Sequence, residues 1–135
     1  MSAPNAVAGD MDDLLALQRE LHQLEQDSQR GPRILADAYK AWRDAEHTFE
    51  IAKARAHMKA KTPSIANPAR LTVADIEAEV VLNTIPERTA AEAAEGAHRY
   101  AASRIREIEN RRSSLQTRTK LLLEQMRLVG TGMTP

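Results

Sequence analysis

The chain has no cysteine, so it forms no disulfide and no thiolate metal site. Aromatic residues are almost as scarce: Tyr39, Trp42, Phe49 and Tyr100 are the full set among 135 residues. So few rings argue against a large globular core and against a row of bases stacked on aromatic side chains. No apolar stretch approaches the roughly 20 residues that a membrane span needs. Residues 1–10 lack a basic start and an apolar segment, so no signal peptide is expected there and a cytoplasmic location is. There is no net charge to exploit either, because 19 Lys and Arg balance 19 Asp and Glu. Catalytic signatures are missing too. The chain holds no G-x-S-x-G elbow, no phosphate-binding glycine loop and no H-E-x-x-H, and its four histidines are far apart in sequence. Neither an enzyme nor a bound metal or cofactor is expected.

What remains is alanine-rich, glycine-poor and periodic, which favours long helices packed over small residues. Leu14, Leu17, Leu21 and Leu24 repeat at spacings of three, four and three, which predicts a short helix over about 11–28. Gly31-Pro32 is expected to end it, with Pro32 in the first turn of a second helix over 32–61. The seam of that helix is Leu35, Ala38, Trp42, Ala45, Phe49, Ala52 and Ala56, the a and d positions of a heptad. Thr62-Pro63-Ser64 and Asn67-Pro68 predict a loop. Thr72 reads as the N-cap of a short helix to about Leu82. Pro86 is expected to interrupt it, and Thr89-Ala90-Ala91-Glu92 matches a capping box opening a long helix over 89–129. The seam of the long helix is Ala94, His98, Ala101, Ile105, Ile108, Arg112, Leu115, Thr119, Leu122, Met126 and Val129. The fold class that follows is all-α. The second and long helices are expected to form an antiparallel, coiled-coil-packed hairpin across a turn region at 62–88, with a disordered tail at 1–10 and a short tail at 131–135. The long helix outlasts its partner, and a lone hairpin buries little apolar area. A homo-oligomer built through Leu115, Leu122, Met126 and Val129 is therefore expected.

Charge is distributed in blocks. Residues 1–29 carry net −5, 30–61 carry +4, 62–95 carry −4 and 96–135 carry +5. The densest block is the run from Lys53 to Lys61, which holds Lys53, Arg55, His57, Lys59 and Lys61 with no acid. Further along, Arg104, Arg111 and Arg118 recur every seven residues at g positions of the long helix, a stripe about 20 Å long at ~1.5 Å per residue. In an antiparallel pair g faces g. The g set of the second helix is Ile34, Ala41, Thr48 and Arg55, which offers no acid. On that pairing the stripe is left for a phosphate backbone or an acidic neighbour. Binding of that kind is steeply salt-dependent and has little sequence preference. In the seam, Arg112, Thr119 and His98 are expected to fix register.

The order of elements, the Lys53-Ala54-Arg55 triplet near the end of the first arm and the ending Glu124-Gln125-Met126-Arg127-Leu128-Val129-Gly130 resemble the phage recombination mediators, the UvsY-like proteins. The resemblance covers most of residues 11–130. It implies a ring-like homo-oligomer that binds single-stranded DNA, helps displace the single-strand binding protein and loads a RecA-like recombinase in the host cytoplasm. Lys53 and Arg55 carry over as the DNA-contacting pair, and spacing adds Lys59, Lys61, Arg104, Arg111 and Arg118. The loop Thr62-Pro63-Ser64-Ile65-Ala66 is uncharged, which departs from a basic or aromatic DNA-binding loop. The rival expectation is a coiled-coil adaptor or chaperone whose basic blocks meet acidic blocks of neighbouring subunits.

Overall fold

Gly31-Pro32 does not end a helix. In the computed structural model, which describes residues 3–63 and 71–130, helix α1 runs unbroken from Ala3 to Lys61 with Pro32 inside it. The reason lies in the heptad phase. After Leu24 the spacing of four and three continues through Ser28 and Gly31 to Leu35, so the leucine seam and the Leu35–Ala56 seam are one stripe. All thirteen of its positions from Leu14 to Ala56 are buried or half-buried. Pro32 gives up the N–H that would bond the Ser28 carbonyl and crowds that carbonyl, at a cost of about 3 kcal/mol. Packing on both sides of that one turn outweighs the local penalty. Gly31 is there for closeness: a Cβ on it would stand 3.2 Å from Cγ1 of Ile105. The expected short N-terminal helix is therefore part of α1. Helix also replaces the tail expected at 1–10 from Ala3 onward, where Pro4 falls in the first turn and alanines follow.

Helix α2 spans Val73–Asn83 and α3 spans Ile85–Gly130. Among the described residues the chain is all-helical, with three helices and no strand. Thr72 caps α2 as its residue type predicts: its hydroxyl accepts from the Asp75 N–H at 3.2 Å, and the Asp75 carboxylate accepts from the Thr72 N–H at 3.4 Å. The break before α3 is Thr84, and Pro86 sits inside the first turn of α3, where its missing N–H costs nothing. Thr84 is 2% exposed. Its hydroxyl donates to the Val80 carbonyl at 2.6 Å, and its own carbonyl accepts from the Arg88 N–H at 3.0 Å, so it serves both helix ends. The capping box expected at Thr89–Glu92 is not used, because α3 begins four residues before it; Glu92 instead accepts from Arg88 at 3.0 Å. The loop expected over Ser64–Pro68 and the tail at 131–135, with Gly132, lie outside the described residues.

The chain divides into two compact units. The first combines the described residues up to Arg33 with those from Ala102 onward. Leu14, Leu24 and Leu115 are its buried apolar centre. A polar cluster completes it: Arg112 donates to Ser28 Oγ at 3.1 Å, and Ser28 Oγ donates to the Glu109 carboxylate. The second unit, Ile34–Ala101, centres on Val80, Ala91 and Ala101. There His98 stacks on Trp42 at 5.2 Å between ring centroids and meets the edge of Tyr39 at 5.7 Å. Arg43 covers both the Tyr39 and Trp42 rings, at 5.3 and 5.0 Å. The hydrogen bond from Arg43 Nε to the Tyr39 hydroxyl raises the guanidinium pKa further, so this cation stays charged. His98 and Arg112 thus sit in the seam, where their spacing put them.

Candidate nucleic-acid interface

The basic run occupies the last turns of α1, in the second unit. Its members are not equivalent. Lys53, at an e position, is tied down: Nζ lies 2.8 Å from Glu50 and 4.6 Å from the centre of the Phe49 ring. Arg55, Lys59 and Lys61 are exposed, and among the described residues none of their side chains has an ion-pair or hydrogen-bond partner. Lys59 and Lys61 belong to the final turn, where the unsatisfied carbonyls and the helix dipole favour cations by about 0.3–1 kcal/mol each. That is a structural role both lysines fill with no ligand present. Thr62 closes the turn, its hydroxyl donating to the Met58 carbonyl at 2.8 Å. Arg55 and Lys59 are one turn apart, about 6 Å along the axis. Three cations at this helix end are thus exposed without a side-chain partner, and one is already engaged.

The arginine stripe belongs to the first unit, and there the sequence-based pairing needs correction. The g positions that accompany it are those of the leucine end of α1: Asp13, Glu20 and Asp27, seven residues apart like the arginines. Arg111 Nε donates to Glu20 at 2.9 Å. Arg104 bonds Glu107 at 3.4 Å and shares a shallow groove with Glu20 and Asp27. Arg118 lines the next groove with Asp13 and Glu20. The stripe thus has an acidic row along it. The earlier pairing assumed that α1 restarted at Pro32, so that only residues 34–55 could face α3. Carrying the heptad phase through Ser28 and Gly31 is the step that reveals the acids.

Among the four residues expected to join subunits, Leu115 is 3% exposed and is taken up inside the first unit. Leu122 and Met126 are half-buried, and Val129 is 56% exposed, close in sequence to the exposed Leu121 and Leu123. The grooves in each unit are open and shallow, lined by long charged side chains or by alanine and proline. None gathers a nucleophile, a base and an oxyanion site. No helix among the described residues is long and apolar enough to cross a membrane. Comparison with protein-family models, with curated proteins and with solved structures finds no match to this chain.

Proposed function

We propose that this chain is a homo-oligomeric single-stranded DNA-binding protein that acts as a recombination mediator, helping a RecA-like recombinase to load in place of the single-strand binding protein. The observation that carries the reading is the end of α1, where Arg55, Lys59 and Lys61 stand exposed and unpaired beside Lys53 with no acid in the run. The resemblance of Lys53-Ala54-Arg55 and of the element order to the UvsY-like mediators supplies the recombination context. An antiparallel hairpin is the fold that goes with it. Contacts within each unit support that: Glu20 meets Arg111 and Ser28 meets Glu109 in the first, while Tyr39 meets His98 and Thr48 shares a depression with Ala90 in the second. In this reading a set of cationic helix ends, repeated by oligomerisation, tracks the phosphate backbone without reading bases. The recombinase then receives an extended strand. Arg104 and Arg111 fall outside the DNA set, since Glu107 and Glu20 pair with them, while Arg118, with no ion pair among the described residues, stays in it.

Binding to labelled oligo-dT across a salt series tests it. Wild type is expected to bind at low salt. Lys59→Ala with Lys61→Ala is expected to weaken binding and flatten the plot of log affinity against log salt by about 1.4, two phosphate contacts at ~0.7 each. No binding at low salt, or a slope unchanged by that pair, overturns the reading.

A second reading has its own observation. The Arg111–Glu20 pair, and the acids along the whole stripe, fit a coiled-coil adaptor or chaperone whose charge blocks answer one another. It predicts that high salt dissociates the oligomer. The mediator reading predicts that DNA leaves first while the mass by light scattering holds.

A further inference from the structure

In the second unit the two flanks of the helix pair differ. One is charged and satisfied within the chain: Arg43 pairs with Glu46, Lys53 with Glu50, Arg88 with Glu92 and Arg99 with Glu95, at 3.1, 2.8, 3.0 and 2.6 Å. The other is the g and c side of the heptad. It presents Ile34 and Met58, 54% and 71% exposed, with Ala41 and Ile51 between them. On α3 the same side is Ala90, Ala93 and Ala97, with a depression between Thr48, Pro86 and Ala90. The charged groups at these positions are Asp37, Asp44 and Arg55, and among the described residues none forms an ion pair.

Exposed apolar side chains beside charges of both signs that nothing among the described residues answers call for a cover that is itself apolar and carries the same two charges.

We infer that the occupant is a second copy of this chain, docked through the g and c flank of residues 34–58 about a two-fold axis, with the two α1 segments running in opposite directions. A two-fold contact must be self-complementary. One register pairs every position from Ile34 to Met58. Asp37 then faces Arg55 of the other copy, Ala41 faces Ile51, and Ile34 faces Met58, each pair occurring twice. Asp44 falls opposite Thr48. The alternative shifted by one heptad toward the N-terminus sets Arg30 against Arg55, and like charges across a seam repel. The shift by one heptad toward the C-terminus also matches Asp44 with Arg55, but it sets Ile51 against Thr48 and leaves Ile34 and Asp37 beyond the flank. Arg55 is therefore an interface residue, and Lys59 and Lys61 are the exposed cations left for phosphate at this helix end, since Lys53 is held by Glu50 and Phe49.

Light scattering on the full chain reads the result. Arg55→Asp is expected to halve the mass, and Asp37→Arg in the same chain to restore it, with helix content by circular dichroism unchanged throughout. An unchanged mass in Arg55→Asp, or no restoration by the swap, overturns the inference; so does a monomeric wild type. If Arg55→Asp lowers helix content, introduced cysteines decide, which the cysteine-free chain makes unambiguous. Ala41→Cys with Ile51→Cys is expected to give disulfide-linked pairs on oxidation, and Ala36→Cys with Glu50→Cys on the opposite flank is not. Failure of the first pair to cross-link, or equal cross-linking by both, overturns it. Lys59→Ala with Lys61→Ala keeps the mass whatever it does to oligo-dT binding, so failure of the dimer and failure of the DNA reading show up separately.

Discussion

The same two helices are held together by different means in the two units. In the first, the flank of the seam is a row of arginines beside a row of acids, and the seam itself admits Ser28 and Arg112. In the second, the equivalent flank is isoleucine, alanine and threonine with Arg55 at its end, and the seam carries the aromatic stack of Tyr39, Trp42 and His98. Charge specifies which residues meet but adds little stability where it is exposed. Apolar and aromatic contacts stabilise but tolerate slippage along a helix. The first unit is therefore the register-setting one. The second has its flank available for another chain.

The largest expected effect tests the apolar centre of the first unit. Leu115→Ala removes the most buried apolar side chain there and is expected to cost about 3 kcal/mol, read from the urea midpoint. A loss under 1 kcal/mol would mean that the charged rows, and not Leu115, hold this unit. Next comes Gly31→Val. Even the first carbon of that side chain meets Ile105 at 3.2 Å, and overpacking of this kind costs about 1–3 kcal/mol. A neutral Gly31→Val would show that the helices do not approach closely at this turn.

Gly31 also marks what was legible in the sequence and what was not. The helical class, the seam positions and the Thr72 cap follow from local rules: spacing of three and four, and a hydroxyl three residues before an acid. The error at Gly31-Pro32 came from applying one local rule where a longer pattern opposed it. Glycine and proline are breakers when nothing packs on them, whereas here the phase on both sides agrees and Gly31 is buried. A helix end at Gly31-Pro32 also conceals the acidic row, because it puts Asp13, Glu20 and Asp27 on a different helix from the Leu35–Ala56 seam. The cation site was half legible. The run from Lys53 to Lys61 is visible as composition, but the engagement of Lys53 by Glu50 and Phe49 depends on side-chain placement. The beginning of α3 at Ile85 was obscured in the same way as Gly31: Pro86 reads as a stop but fits a first turn.

The charged rows should reveal themselves through salt. Arg111→Glu places a carboxylate beside Glu20 and is expected to cost about 1 kcal/mol at low ionic strength, with Glu20→Arg in the same chain recovering it. Both side chains are largely exposed, so the difference is expected to shrink in 1 M salt, where the screening length is about 3 Å. The seam of the second unit carries no such row, and Trp42→Ala should cost the same at either salt concentration. Equal salt sensitivity of the two variants would erase the distinction between the units.

The smallest expected effect is a gain. Gly96 lies inside α3 in the second unit, and a Cβ on it meets nothing within 4 Å. Alanine there limits the unfolded chain and suits a helix, so Gly96→Ala is expected to stabilise by about 0.8–1 kcal/mol in the urea midpoint. Gly31→Ala brings the same change in propensity but sets it against the Ile105 contact, so its gain should be smaller or reversed. Making the two substitutions side by side isolates packing from propensity, because the residue change is identical and only the neighbour differs. If Gly31→Ala stabilised as much as Gly96→Ala, Gly31 would have no packing role, and its glycine would need a different account from close approach of the helices.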